Sequence, residues 1–335
     1  MQEGSQFIDA NARVFGDALA NCLIIGSQET LAATQEAVRQ SKTMNCVSYA
    51  VDYSRTNTDI GKALTEFASD HNLSADNTLV ILSDYAGRLF HRLKNAVNPL
   101  RQNGFVVTRA FGRVVFDKTD QQRFRPAIPQ PEAFGTIASY VHYQIAHGLA
   151  GVDAGYFEFG VFEGKSVSLA YHTMGQFAPD MTFCAFDSFE GIIGATDAED
   201  FSDNTFFCNE RTFRHNCRLA GIPDERLAIW RGNFLTDLVP NAEYSGIPDT
   251  CIVAHIDCDV YAPTLAALRY LTPKLVQGSV LVFDDFNAQA ASNHTGERGA
   301  LKAWLAENPA LSVEPWFTYG GMSAVFFVHI DAETQ

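Results

Sequence analysis

The chain has 335 residues, 47% hydrophobic and 12% aromatic, and 24 Lys+Arg against 39 Asp+Glu leave a formal net charge of −15. So apolar a chain is not disordered, and its length suggests two domains, each with its own core. The negative balance disfavours binding to a nucleic-acid backbone, which runs on Lys and Arg, and leaves small neutral or cationic ligands.

No apolar run reaches the ~18 residues that a membrane-spanning helix needs. The start, Met1-Gln2-Glu3-Gly4-Ser5, lacks the basic and apolar pattern of a secretion signal. Seven cysteines form no C-x-x-C pair. Several lie in apolar strand-like runs, where a thiol acts as a small hydrophobe. A reduced, cytoplasmic protein without membrane or nucleic-acid partners is the expectation, and a cysteine zinc site is not.

Taken in chain order, Cys22–Gly26 reads as a strand, Glu29–Gln40 as a helix and Cys46–Val51 as a strand. A helix over Asp59–Asp70, a strand over Thr78–Leu82, a helix over Gly87–Val97 and a strand over Gly104–Thr108 follow. Such alternation implies a parallel sheet covered by helices, a small Rossmann-like α/β domain over 1–125. Pro126, Pro129 and Pro131 mark residues 126–131 as a linker.

The remainder, 132–335, repeats the alternation more strongly. After a helix over Ala133–Leu149, strands are expected at Tyr156–Val161, Thr182–Phe186, Leu227–Arg231, Cys251–Asp257 and Ser279–Phe283. Helices fall between them, at Ser166–Phe177, Thr212–Ala220, Pro263–Leu275 and, after the last of these strands, Glu297–Glu307. Two more apolar runs, Leu311–Phe317 and Ser323–Ile330, flank Tyr319-Gly320-Gly321, whose turn chemistry joins antiparallel neighbours. Five parallel strands and a terminal hairpin describe an open, doubly wound α/β sheet.

Ligands on such a sheet bind beyond the carboxyl ends of its strands. The first end, Glu158-Phe159-Gly160-Val161-Phe162-Glu163-Gly164-Lys165-Ser166, holds two glycines able to turn tightly and expose amides at a helix start. A dinucleotide loop would need glycine at Phe162, and a P-loop would need it at Phe159. Glu158 also repels phosphate and suits a cationic ligand. At the second end, Asp187 is placed to accept the hydroxyls of a ribose, unless it is a solvated loop acid. At the third, Gly232-Asn233-Phe234 offers a glycine and an aromatic able to flank an adenine.

The fourth and fifth ends are the sharpest. His255-Ile256-Asp257-Cys258-Asp259 would place residues 255, 257 and 259 on one side of a strand, and Asp284-Asp285 end the next one. Four carboxylates in one crevice repel one another unless a cation neutralises them, and hard oxygen donors favour Mg²⁺ or Mn²⁺. The structural alternative is that Asp259 and Asp285 cap helices. His255 reads as a buried strand histidine rather than a ligand.

Glu158–Gly164, Phe186-Asp187-Ser188-Phe189-Glu190-Gly191, Asp257-Cys258-Asp259-Val260-Tyr261 and Phe283-Asp284-Asp285-Phe286 occur in this order. Together they resemble the class I S-adenosylmethionine-dependent methyltransferases, specifically the macrocin O-methyltransferase family of metal-dependent sugar O-methyltransferases. The likeness covers about 132–330 and includes Gly296-Glu297-Arg298-Gly299, which is similar to the start of the family's last helix. It implies a seven-stranded methyltransferase-type sheet. Glu158, Gly160, Gly164 and Ser166 would hold the amino-acid end of S-adenosylmethionine. Asp187 would take its ribose, and Ser188, Gly232 and Asn233 would line the adenine side. Asp257, Asp284 and Asp285 look like the metal ligands for Mg²⁺ or Mn²⁺, and Asp259 like the general base. Residues Ile192–Glu210, with Phe201, Phe206 and Phe207, sit where such enzymes place a lid over a hydroxylated acceptor, a sugar or a glycosylated small molecule.

Three other readings compete: P-loop-like phosphoryl transfer on Gly164-Lys165-Ser166, a sugar-nucleotide transferase using Asp257-Cys258-Asp259, and a non-catalytic S-adenosylmethionine-binding module. Residues 1–125 lie outside the catalytic pattern. A packing or dimerisation domain, compatible with a homo-oligomer, is preferred there over acceptor recognition or a degenerate nucleotide site.

Overall fold

A computed structural model describes residues 2–41, 44–83, 87–109, 128, 130–149, 151, 153–196 and 205–331. Residues 126, 127 and 129 of the expected linker, and residues 197–204 of the expected lid with Phe201, lie outside the described residues. The chain forms two compact units, one of Met1–Arg125 with Phe206–Gly221, the other of Pro126–Thr205 with Ile222–Gln335. The sequence reading had assigned 206–221 to the second domain.

In the first unit, strands β1 (Asn21–Gly26), β2 (Asn45–Ala50), β3 (Thr78–Leu82) and β4 (Val106–Arg109) form a parallel sheet in the order β2-β1-β3-β4. Period-two geometry sends Cys22 and Ile24 to one face and Leu23 and Ile25 to the other. Both faces are covered, so the strand is apolar throughout rather than alternating. Cys22 and Ile24 pack with Ile8 of α1 (Gln2–Phe15) and with Leu31 and Val38 of α2 (Gln28–Ser41). Leu23 and Ile25 pack with Ile60 and Leu64 of α3 (Asn57–Asp70), Leu93 of α4 (Gly87–Ala96) and Leu100 of α5 (Asn98–Gln102).

This unit is completed by a segment distant in sequence. Helix α8 (Glu210–Leu219) is capped by Asn209, whose Oδ1 accepts from Thr212 N–H at 2.8 Å. The Thr212 hydroxyl then accepts from Val107 N–H at 3.1 Å, satisfying an amide of β4. His215 meets Asn11 Oδ1 at 2.8 Å. Burial pushes this imidazole down to about 4, helped by Arg211 and Arg218, so it is neutral at pH 7.

The second unit begins with α6 (Gln130–Ala146). Its sheet has the order β10-β11-β9-β8-β5-β6-β7. The strands are β5 (Gly155–Phe159), β6 (Phe183–Asp187), β7 (Leu227–Arg231), β8 (Cys251–Ile256), β9 (Leu275–Phe283), β10 (Leu311–Tyr319) and β11 (Ser323–Ile330). β5 to β9 pair in parallel, whereas β11 runs antiparallel to both β9 and β10. This is the expected methyltransferase-type sheet. Phe159 and Phe186 stack at 4.5 Å in a core shared with Leu268 of α9 (Tyr261–Leu271) and with Trp304 of α11 (Gly296–Glu307), which follows the short α10 (Ala288–Ala291). Burying such an aromatic is worth roughly 2–3 kcal/mol.

The chain runs from β5 outward through β6 and β7, then returns to β8 on the other side of β5. The β5/β8 boundary is therefore the switch point where a doubly wound sheet opens a crevice. All seven cysteines are free thiols. Among the described residues, no helix is long and apolar enough to cross a membrane.

Candidate active site

At the end of β5 the chain must turn and rise into α7 (Lys165–Met174). Gly160 does this with φ +85°, and a Cβ there would meet the Asp257 carbonyl oxygen at 1.9 Å. Glycine is thus required by the close approach of the β5 and β8 ends, which Asp257 N–H reinforces by donating to Phe159 O at 2.9 Å. Gly164 takes φ +79° as the residue before α7.

Asp187 organises the same turn. Its Oδ2 accepts from Val161 N–H at 2.8 Å and Phe162 N–H at 3.2 Å, and its Oδ1 from Phe189 N–H at 2.7 Å. Burial pushes this carboxyl up, against the pull of the three amides. Since a carboxylate has about four lone-pair positions, one donor could still be accepted. Ser188 and Asn233 shape neighbouring loops: the Ser188 hydroxyl donates to Gly191 O, and Asn233 Oδ1 accepts from Leu235 N–H. Gly232 N–H donates to Asp187 O at 3.1 Å, joining the ends of β6 and β7.

Glu158 lies deeper. Its Oε1 accepts from Ser166 Oγ at 2.6 Å and its Oε2 from Tyr156 OH at 2.5 Å, all within the protein interior. Glu158 and Ser166 therefore brace β5 against α7. That pairing also engages the hydroxyl that a P-loop would offer to a metal ion, which counts against phosphoryl transfer.

The acids at the next two ends do converge. Asp257, Asp259 and Asp285 each place one carboxylate oxygen within 4.8 Å of the others. The geometry differs from simple strand alternation, because β8 ends at Ile256 and Asp259 turns back with φ +62°. Asp259 does not cap the following helix: Val260 occupies that position, with no side-chain cap bond. Burial raises Asp259 well above the carboxylate range, with Asp285 adding to it. Burial likewise raises Asp257, assisted by Asp284 and Asp259, and it raises Asp285 too.

Asp284 is treated differently. Its Oδ1 accepts from Tyr319 OH at 3.1 Å and Ser323 Oγ at 3.2 Å, with His255 Nε2 at 3.9 Å. Burial would push it up, but His255 and these hydroxyls hold it below the usual value. His255 is buried between Asp284 and Glu158, whose Oε2 lies 3.5 Å from Nδ1. Burial disfavours its charge, yet the two carboxylates raise its pKa well above the ordinary value. Among the described residues every hydrogen bond to the Asp284 carboxylate ends on Oδ1, and Asp284, expected as a ligand, is not among the acids that converge within 4.8 Å.

The donor set fits a hard divalent ion. It consists of oxygen alone, its acids resist ionising together, and opposite ligands on an octahedral ion with ~2.1 Å bonds stand about 4.2 Å apart. Sequence reasoning missed the braces behind this set, Tyr156, Tyr319, Ser323 and Glu297. Glu297 was visible as part of the run Gly296-Glu297-Arg298-Gly299 and as an acid in the first turn of α11, which ordinarily signals a favourable charge at a helix start, with no role in the site attached.

Comparison with known proteins finds likenesses for the part of the chain that carries these strand ends. Residues 145–300 match the family model "Macrocin-O-methyltransferase (TylF)". Among solved structures, the chain is similar to the O-methyltransferase NovP at 22% identity, with a TM-score of 0.47, over 58% of this chain and 78% of that one. It is similar to the calicheamicin methyltransferase CalS11 at 15% identity and a TM-score of 0.44, over 81% and 91%. An O-methyltransferase from Bacillus cereus in complex with SAH gives 15% identity and a TM-score of 0.39, over 64% and 91%. Curated protein sequences return no match. Residues 145–300, a little under half of the chain, are thus similar to a macrocin-O-methyltransferase domain.

Proposed function

We propose that the second unit transfers the methyl group of S-adenosylmethionine to a hydroxyl of a sugar or glycosylated small molecule, assisted by Mg²⁺ or Mn²⁺. The observation that carries this reading is the convergence of Asp257, Asp259 and Asp285 beside the glycine turn. Asp257, Asp284 and Asp285 would hold the cation. A divalent ion there supplies acidification and orientation of an alcohol, a poor nucleophile at neutral pH. Asp284 suits a ligand because Tyr319, Ser323 and His255 stabilise its anion. Asp259 suits a base because burial and Asp285 raise its proton affinity, so it takes the hydroxyl proton as the carbon–oxygen bond forms.

On the donor side, Gly160 and Gly164 shape the turn that would receive the amino-acid end of the donor, with Glu158 and Ser166 bracing it. Asp187 has one acceptor position left for a ribose hydroxyl. Ser188, Gly232 and Asn233 form the loops on the adenine side. The net charge of −15 favours a neutral polyhydroxylated acceptor over an anionic one. Free cysteines accord with a reducing, cytoplasmic setting. The first unit is a packing or dimerisation domain in this reading.

Labelled methyl transfer to a panel of glycosides and sugar nucleotides tests the proposal. Transfer should stop with chelator, return with Mg²⁺ or Mn²⁺, and be absent in Asp257→Ala. Full transfer in chelator would remove the metal from the reading, and titration with ATP against S-adenosylhomocysteine separates it from phosphoryl transfer.

A further inference from the structure

The two acidic loops follow β8 and β9, whose register sets Ile256 beside Phe283, and Asp284 N–H donates to Ile256 O at 3.0 Å. Beyond that bond side chains tie the loops together: Gln289 Nε2 donates to Asp259 O at 3.0 Å, and a buried carboxylate makes the deeper tie. Glu297 stands in the first turn of α11 and is 1% exposed. Its Oε1 accepts from Cys258 N–H at 3.2 Å and its Oε2 from Asp285 N–H at 3.0 Å. Cys258 lies between Asp257 and Asp259, so a single carboxylate grips the backbone on which three of the converging acids stand.

We infer that Glu297 is a positioning residue for the metal centre: it clamps the Asp257–Asp259 turn to Asp285 and so sets the separation at which the carboxylates receive a divalent cation. The inference rests on the metal-dependent reading above. Both bonds are made to backbone N–H donors, so both oxygens must accept. A carboxamide replaces one acceptor with an N–H₂ group facing another N–H, opening one half of the bridge while preserving shape. Aspartate is one methylene shorter and cannot span both amides from the same backbone. The bond partners are main-chain groups, which is why Glu297 acts through its neighbours and touches no reacting atom. Residues that orient metal ligands typically carry a 10–100-fold effect on affinity.

The test is calorimetric titration of the purified full-length protein with Mn²⁺, and separately with S-adenosylhomocysteine, for wild type, Glu297→Gln and Glu297→Asp. The expected result is at least a tenfold weaker Mn²⁺ affinity in both variants, with S-adenosylhomocysteine affinity within twofold of wild type. Unchanged Mn²⁺ affinity would overturn the inference. So would a parallel loss of Mn²⁺ and S-adenosylhomocysteine binding, which would mark Glu297 as a general support of the fold. A wild-type protein that binds S-adenosylhomocysteine but no Mn²⁺ would instead overturn the metal reading on which the inference stands.

Discussion

The two units solve the same geometric problem with different chemistry. Each has a sheet whose central strands run parallel, with a glycine at or just past the end of the strand where the chain order reverses. In the first unit a Cβ on Gly26 would meet Ser83 Oγ at 1.8 Å; in the second a Cβ on Gly160 would meet the Asp257 carbonyl at 1.9 Å. Around Gly26 the polar groups satisfy one another, with Thr30 Oγ1 2.8 Å from Ser83 Oγ and 3.1 Å from Ser27 Oγ. Around Gly160 stand carboxylates that burial and mutual repulsion hold away from their ordinary ionisation. The difference shows that architecture supplies a crevice and side chains decide whether it has work to do.

The largest effect that would break this comparison is catalytic. Asp257→Ala or Asp285→Ala should lower metal-stimulated methyl transfer by about 10³-fold or more, equivalent to roughly 4 kcal/mol of barrier, while S-adenosylhomocysteine binding is largely kept. A steady-state assay beside a binding titration checks it.

The glycines sharpen the contrast. Gly160→Ala forces a backbone carbonyl aside at a positive φ and should cost about 3–5 kcal/mol in chemical denaturation. Gly26→Ala displaces the Ser83 and Thr30 hydroxyls, side-chain groups that can rotate at the loss of a hydrogen bond or two, and should cost about 1–2 kcal/mol. Equal costs would mean that the two strand ends are packed alike.

Acidification should move the units in opposite directions. His215 has its pKa depressed to about 4, so the folded first unit resists a proton that the unfolded chain accepts near 6.5. Stability present above pH 6.5 is therefore lost as pH falls toward 4, by about 3 kcal/mol. The raised acids Asp257 and Asp259 have the reverse sign. Without metal, the folded second unit loses stability as pH rises from the ordinary carboxylate value toward their raised ones. The three tryptophans, Trp230, Trp304 and Trp316, all lie in the second unit. Their fluorescence should report a higher unfolding midpoint in chelator at pH 5.5 than at pH 7.5. Protection factors of the Cys22–Ile25 amides, taken against intrinsic exchange at each pH, should fall as pH is lowered from 7.5 to 5.5, and His215→Gln should flatten that response.

The strands were legible because they are short apolar runs cut off by Gly or Asp, and the boundary residues Gly160, Asp187, Asp257 and Asp285 announced themselves as strand ends. Helix α1 was not anticipated. Its apolar positions Phe7, Ile8, Val14 and Phe15 are interrupted by Gln, Asp, Asn and Arg, a weak pattern. That α8 belongs with the first unit was equally hidden, since its partners Asn11, Phe105 and Val107 are about a hundred or more residues away in sequence. The acids of the site could be read from residue type and place. The hydrogen bonds that aim them could not, because Glu297 acts on backbone amides that no sequence pattern marks.

The most direct measurement is anomalous diffraction at the manganese edge from crystals grown with Mn²⁺ and S-adenosylhomocysteine. The account predicts one peak between the ends of β8 and β9, bonded to carboxylate oxygens of Asp257 and Asp285. No peak there, with S-adenosylhomocysteine in place beside Gly160, would contradict it.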